Sequence, residues 1–181
     1  WNVVTATSDA AAQNYGYDKQ IEHDLRYDMA DEYMDVCNAL WDAWEPDAVK
    51  MDGENGVFID PSKVKAVNFE GDHYKVRGPL NVPRGPQGRP VIVAPGGSPR
   101  GRKFSGRNAE VVLAQAHGVA DMKKYREDVR AHAVEFGRDP DSMKVLFAIS
   151  PVVVDSKEEA EEYKAGFGEL RKKRLKHSLA A

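Results

Sequence analysis

From Pro90 onward, short apolar runs alternate with segments of helical periodicity, and that alternation constrains the fold more than any other feature of the chain. Pro90-Val91-Ile92-Val93-Ala94 reads as a continuous apolar strand, followed by a Gly-rich turn and a helix over Gly101–Asn108. Ala109–Leu113 is a second strand, Val119–Phe136 a second helix stopped by Gly137, and Lys144–Ile149 a third strand. Ser156 caps a last helix, with Glu158 and Glu159 in its first turn, where negative charge suits the helix dipole. Trp1-Asn2-Val3-Val4-Thr5 adds a further strand at the start. Strands alternating with helices imply an α/β fold, a parallel sheet with both faces covered. A closed (β/α)8 barrel takes about 250 residues. The 181 residues here suffice for a partial barrel of about half the strands, or for a small open sheet, and spacing alone leaves both open.

Ahead of this alternation, Ser8 or Asp9 caps a short helix through Gln13, with Gly16 as its stop. A long helix is expected from Asp18 to Trp44. Its apolar residues Ile21, Leu25, Met29, Tyr33, Val36, Leu40 and Trp44 step by three or four and form one buried stripe. Tyr27 falls off that stripe, facing a ligand or solvent. Residues 45–88 are punctuated by Pro, Gly, Asp and Asn and read as an insertion within a single domain spanning 1–181. Inside it, Ala66–Phe69 and His73–Val76 flank Glu70-Gly71-Asp72 in a hairpin pattern.

Composition removes several function classes. No apolar run approaches the ~20 residues of a membrane-spanning helix. A net charge of −3 gives no general reason to bind nucleic acid or an anionic membrane. The basic run Arg171-Lys172-Lys173-Arg174 follows the acidic run Glu158–Glu162 and reads as a solvated helix face rather than an anion-binding module. Cys37 is the only cysteine, which fits a reducing cytoplasm. His23, His73, His117, His132 and His177 have no metal-site spacing, and no Ser-His-Asp or Cys-His arrangement is legible. The chain opens on Trp1 inside a strand, with no leader ahead of it, so a fragment of a longer protein is expected.

The segment that carries chemistry is Ala94-Pro95-Gly96-Gly97-Ser98-Pro99-Arg100-Gly101. It follows an apolar strand and opens a helix, so its backbone amides and the Ser98 hydroxyl make a natural phosphate cradle. It is neither a Walker motif nor a dinucleotide fingerprint. Asn2 and Thr5 sit at the carboxyl end of the first strand, where ligands bind in parallel α/β folds.

Several blocks occur in a collinear order that resembles one family. They include Trp1–Thr5, Asn14-Tyr15-Gly16, His23-Asp24-Leu25-Arg26-Tyr27, Ala30–Tyr33, Leu40–Glu45, Asp60–Val64, Gly78–Asn81, Gly96-Gly97-Ser98, Gly137–Pro140 and Ile149–Val153. The series is similar to the nitrilotriacetate, dibenzothiophene-sulfone and long-chain-alkane monooxygenases of the bacterial luciferase-like superfamily. That resemblance implies a (β/α)8 barrel, of which this chain is a central piece. It also implies reduced FMN and oxygen as reagents, with the flavin supplied by a separate NAD(P)H-dependent reductase, a small organic substrate and a homo-oligomeric full-length enzyme. By the same resemblance, Asn2 and Thr5 lie near the flavin, Tyr27 reaches its phosphate, and Gly96, Gly97 and Ser98 cradle that phosphate.

The chain departs from the family pattern in places. Ala94-Pro95-Gly96 stands where Gln-Ala-Gly is frequent, and Phe69 where His is frequent. Pro95 has no amide hydrogen to donate. Beside the FMN monooxygenase stand two alternatives: a related oxidoreductase using a deazaflavin, and an inactive fragment with exposed strand edges. The isolated chain is expected to show little or no monooxygenase activity.

Overall fold

The structure, a computed structural model, describes residues 1–178, with side chains through 168; the side chains of Arg171–Arg174 lie outside the described residues. The chain divides into two compact units, Trp1–Ala148 and a second beginning at Ile149. In chain order the elements are α1 (Asp9–Gln13), α2 (His23–Trp41), β1 (Val49–Asp52), β2 (Val57–Ile59), β3 (Phe69–Glu70), β4 (Lys75–Val76), β5 (Val93–Ala94), α3 (Pro99–Asn108), β6 (Val111–Ala114), α4 (Gly118–Glu135), β7 (Lys144–Phe147) and α5 (Lys157–Ser178).

The central sheet is parallel, in the order β5-β6-β7, with Val93 beside Val111 and Val111 beside Lys144. The opening segment extends it at the β5 edge. Val3 N donates to Val93 O and Val93 N to Trp1 O, both at 2.8 Å, and the N-terminal ammonium donates to Val91 O at 2.7 Å. Regular pairing here is shorter than the sequence suggests: one parallel bridge joins Asn2 to Val93, and the backbone bonds to β5 stop at Val3.

The parallel segments therefore neighbour one another in chain order, with no reversal. Right-handed crossovers between them all step the same way and deliver α3 and α4 to one face. That face forms the core. Val3, Ala94 and Val112 pack with Phe104 of α3, Val129 and Ala133 of α4 and Met34 of α2. Across the pleat the alternate positions are bare, with Leu113 46% and Leu146 55% exposed. The expectation of two covered faces is thus corrected: within the first unit the helices cover one. The helices on that face approach closely, and a Cβ on Gly106 would lie 2.5 Å from the Cβ of His132.

The long helix is shorter and rotated relative to the expected stripe. Glu22 caps it, accepting from Asp24 N and Leu25 N at 2.8 and 3.0 Å, so Asp18–Ile21 stay outside it, and it ends at Trp41. Tyr27, Ala30, Met34 and Trp41 face the core; of the expected stripe Val36 is buried, while Leu25 and Tyr33 are each 42% exposed. The physical reason lies in the neighbouring helix. Arg100 of α3 pairs with Asp28 and Asp31 at 2.8 and 2.7 Å, and Arg107 with Asp35 at 2.9 Å. A helix face bearing three aspartates reads as solvent-facing until the arginines opposite are known.

Residues 45–88 hold more order than their composition suggests. An unanticipated hairpin pairs β1 with β2, and the expected one pairs Phe69 with Val76 and Glu70 with Lys75, so Glu70 belongs to a strand rather than the turn. Ala43, Trp44 and Ala48 form a small separate core with Val49, Ile59, Val64 and Val67. Trp44 Nε1 donates to Leu80 O at 2.9 Å, tying the end of the segment back to its start. Glu32 of α2 anchors the second hairpin, its carboxylate accepting from the amides of Asp72, His73 and Tyr74 at 3.1, 3.0 and 2.7 Å.

In the second unit Ser156 caps α5 as expected, accepting from Glu159 N at 3.1 Å, and the Glu159 carboxylate accepts from Asp155 N at 3.0 Å. Among the described residues no helix is long and apolar enough to cross a membrane.

Desolvation opposes ionisation of Glu32, but the amides of His73, Tyr74 and Asp72 outweigh it and hold the carboxyl below its ordinary value. A carboxyl lowered by folding adds stability above its unfolded pKa and loses it as pH falls through the folded one. Hydrogen exchange at His73 and Tyr74, relative to its intrinsic rate at each pH, should therefore accelerate below the ordinary carboxylate range in the native protein. In Glu32→Gln it should already be fast at neutral pH; unchanged protection in that variant would show that the hairpin holds itself.

Candidate functional site

The site is built where β5 ends and α3 begins. After Ala94 the chain turns through Pro95, Gly96 and Gly97 to Ser98, the N-cap of α3. The Ser98 hydroxyl accepts from Gly101 N at 3.0 Å, which satisfies one of the free amides at the helix start. Gly96 is pressed against that first helical turn. A Cβ there would meet Gly101 O at 2.5 Å and Ser105 Oγ at 2.6 Å, so any side chain would push the turn off the helix. Ser105 is fully buried and donates its hydroxyl to Gly101 O at 3.0 Å, satisfying itself within the helix.

From the other side comes α2. A Cβ on Gly101 would lie 2.7 Å from the Tyr27 hydroxyl, so the bare backbone of α3 is what admits that hydroxyl. The Tyr27 ring packs on Phe104 and His23 at centroid distances of 5.7 and 5.2 Å, with the Arg100 guanidinium 5.6 Å from its centre. Between the turn, α2 and the end of the first segment lies a cavity of about 150 Å³, with Thr5, His23, Arg26, Tyr27, Gly96 and Ser105 in its wall.

Of the residues singled out from sequence, the structure brings Thr5, Tyr27 and Gly96 together in this cavity. Gly97 and Ser98 are next along the same turn but outside its wall. Asn2 lies apart, in an adjoining groove of about 350 Å³ whose wall includes Thr5, Arg26 and Tyr74. His23 and Arg26 are site residues that sequence reasoning passed over. For His23 the signal was available, because it stands four residues before Tyr27 on the same helix face; Arg26, adjacent to Tyr27 in sequence, had none of that kind.

Arg26 and the first turn of α3 border the cavity. Arg26 borders both spaces, donates one Nη to Ile21 O at 2.9 Å, and has a buried Nε with no partner among the described residues. Gly97 N and Ser98 N donate to no acceptor among the described hydrogen bonds, at the positive end of α3. Unbonded amides, an orphaned guanidinium nitrogen and a tyrosine hydroxyl are donors, and the ligand they suit is an anion. No group of three or more His, Cys, Asp or Glu that could hold a metal occurs among the described residues.

A larger cavity, about 570 Å³, lies toward the other end of the strands and is bordered by Arg84, Arg89, Arg107, Arg138 and Glu110. Its cations have structural partners. Arg84 and Arg89 bind Asp42, Arg107 binds Asp35, and Arg138 donates to Gly106 O and Ala109 O, each at 2.7 Å.

The luciferase-like monooxygenase family matches residues 1–179 of this chain. The dibenzothiophene-sulfone monooxygenase of Rhodococcus erythropolis is 46% identical over 162 residues, covering 90% of this chain and 36% of that protein. The chain thus spans about a third of the length of that relative. Among solved structures, a long-chain alkane monooxygenase superimposes with a TM-score of 0.81 at 42% identity, covering 90% of this chain and 38% of its own. A riboflavin lyase with modified FMN and riboflavin also gives 0.81, at 39% identity, covering 90% of this chain and 36% of its own.

Replacing Ser98 by Ala removes the cap and should destabilise the protein by about 1 kcal/mol in denaturant unfolding, with Ser98→Thr retaining most of the stability. An Ala variant as stable as the parent would mean that the bond to Gly101 N contributes nothing.

Proposed function

Because this chain belongs to the luciferase-like monooxygenase family, we propose that it supplies the phosphate-binding side of an FMN site in a flavin-dependent monooxygenase acting on a small organic substrate. The carrying observation is the convergence of Tyr27, Gly96 and Arg26 on one cavity beside the unbonded amides of Gly97 and Ser98. A flavin phosphate is a dianion of suitable size for such a cradle, and its negative charge is favoured at the start of α3. In this reading the Tyr27 hydroxyl, the two amides and the Ser98 hydroxyl bind the phosphate, and Arg26 offsets its charge. Ser98 can cap and bind at once, since its oxygen accepts from Gly101 N while its proton remains to donate.

Reduced FMN with oxygen would supply the oxidising chemistry, and the flavin would arrive from a separate NAD(P)H-dependent reductase. The polypeptide's part is to bind, orient and exclude water. Thr5, in the cavity wall, and Asn2, in the adjoining groove, would border the flavin between its phosphate and its ring. Ala94 brings no polar side chain to the turn and Pro95 no amide hydrogen, so phosphate binding falls to the residues after them. The parallel segments in chain order are an arc of a (β/α)8 barrel forming one domain, with residues 45–88 as an insertion shaping the approach to the site. The whole enzyme is a cytoplasmic homo-oligomer in this account.

Comparative fluorescence titration with FMN and riboflavin tests the reading, because the two differ only in the phosphate. The protein should prefer FMN, and Tyr27→Phe should weaken FMN roughly tenfold or more, the worth of a hydrogen bond to a charged group, without changing riboflavin. Equal affinities for the two flavins in the parent protein would overturn it.

A further inference from the structure

A flexible glycine turn offers its amides to an anion only if something fixes which way its peptide planes face. In a trans peptide the carbonyl of one residue and the N–H of the next point in opposite directions. Holding a carbonyl therefore aims the following amide. Both relevant carbonyls are held here, by side chains the phosphate reading does not otherwise use. The Tyr125 hydroxyl of α4 donates to Gly96 O, and Arg102 of α3 donates an Nη to Gly97 O at 2.7 Å. The two side chains support each other, with the Arg102 guanidinium 5.9 Å from the Tyr125 ring centre and its Nε paired with Asp128 of α4. Tyr125 is braced in turn by an edge contact with Phe147 of β7, at 6.0 Å between centroids. The amides that leave these carbonyls are Gly97 N and Ser98 N, the pair that finds no acceptor among the described hydrogen bonds.

We propose that Tyr125 and Arg102 are positioning residues for the flavin phosphate, which clamp the carbonyls of Gly96 and Gly97 so that the Gly97 and Ser98 amides face the anion. The clamp deepens the function proposed above and rests on it. Neither residue touches the flavin; each acts through a backbone carbonyl. The clamp also carries information between elements, since the amide direction at the end of β5 is set by α3 and by α4, which is itself braced on β7. Burial pushes the Tyr125 phenol up to about 12 despite the lowering influence of Arg102, so it remains a donor throughout the working range of an enzyme.

The test titrates FMN and riboflavin against the native protein and against Tyr125→Phe, Arg102→Met and Arg102→Lys, with denaturant unfolding as a check. Tyr125→Phe and Arg102→Met should each reduce the preference for FMN over riboflavin by roughly tenfold while leaving riboflavin affinity unchanged. Arg102→Lys, which retains a cationic donor, should recover much of that preference. A purely structural role would lower both flavins together, and that result would overturn the proposal. So would an undiminished FMN preference in both Tyr125→Phe and Arg102→Met, with the phosphate site itself left intact. A native protein without FMN preference would remove the phosphate site and the clamp with it. Should Tyr125→Phe fail to fold, the Arg102 pair carries the same comparison.

Discussion

The contact between Gly96 and the first turn of α3 organises much of the first unit. A single methyl at Gly96 would strike the Gly101 carbonyl and the Ser105 hydroxyl, so the end of β5 and the start of α3 are locked at backbone contact. That contact fixes where α3 begins, and α3 then sets its neighbours. Its arginines take up the aspartates of α2 on one side, and Gly106 lets α4 approach on the other. The ion pairs at this seam are half-sheltered rather than surface decoration: Arg100 and Asp31 retain 17% and 16% of their side-chain exposure. Such pairs specify the register of two helices more than they add stability, because desolvation offsets much of their attraction. Register is what matters for Tyr27, whose hydroxyl must arrive over the bare backbone of Gly101.

The sheet imposes the second constraint. Parallel segments in chain order place the first-unit helices on one face, leaving alternate apolar positions such as Leu113 and Leu146 open on the other. A doubly wound sheet would cover both faces and create a ligand crevice where the strand order reverses. With no reversal, the ligand region is confined to the carboxyl ends of the strands, where the turn after β5, Thr5 and Tyr27 gather. The site thus follows from topology, and the donors in it follow from one helix start and one facing helix.

Much of this was legible in the sequence. The apolar run ending at Ala94, the glycines after it and the helix expected from Gly101 announced strand, turn and helix in their observed order, because each signal is local, although the helix starts earlier, at Pro99 under a Ser98 cap. The parallel pairing followed from alternation alone. Other features lay partly or wholly outside local signals. The buried face of α2 was legible only in part, at Val36, because Asp28, Asp31 and Asp35 look solvent-facing until the arginines of α3, some 70 positions away, are set against them. The hairpin β1–β2 was missed because its strands are short and punctuated by turn residues. His23 carried a local signal, since its four-residue spacing placed it over Tyr27, whereas Arg26 joins the site only through the fold. The roles of Tyr125 and Arg102 lay beyond any local signal, since both act on carbonyls brought near only by tertiary packing.

The measurement that most directly tests the account is a crystal structure of the protein with FMN bound. The account predicts the phosphate within hydrogen-bonding distance of the Gly97 and Ser98 amides and the Tyr27 hydroxyl. A phosphate seated instead among Arg84, Arg89, Arg107 and Arg138, at the opposite end of the strands, would contradict it.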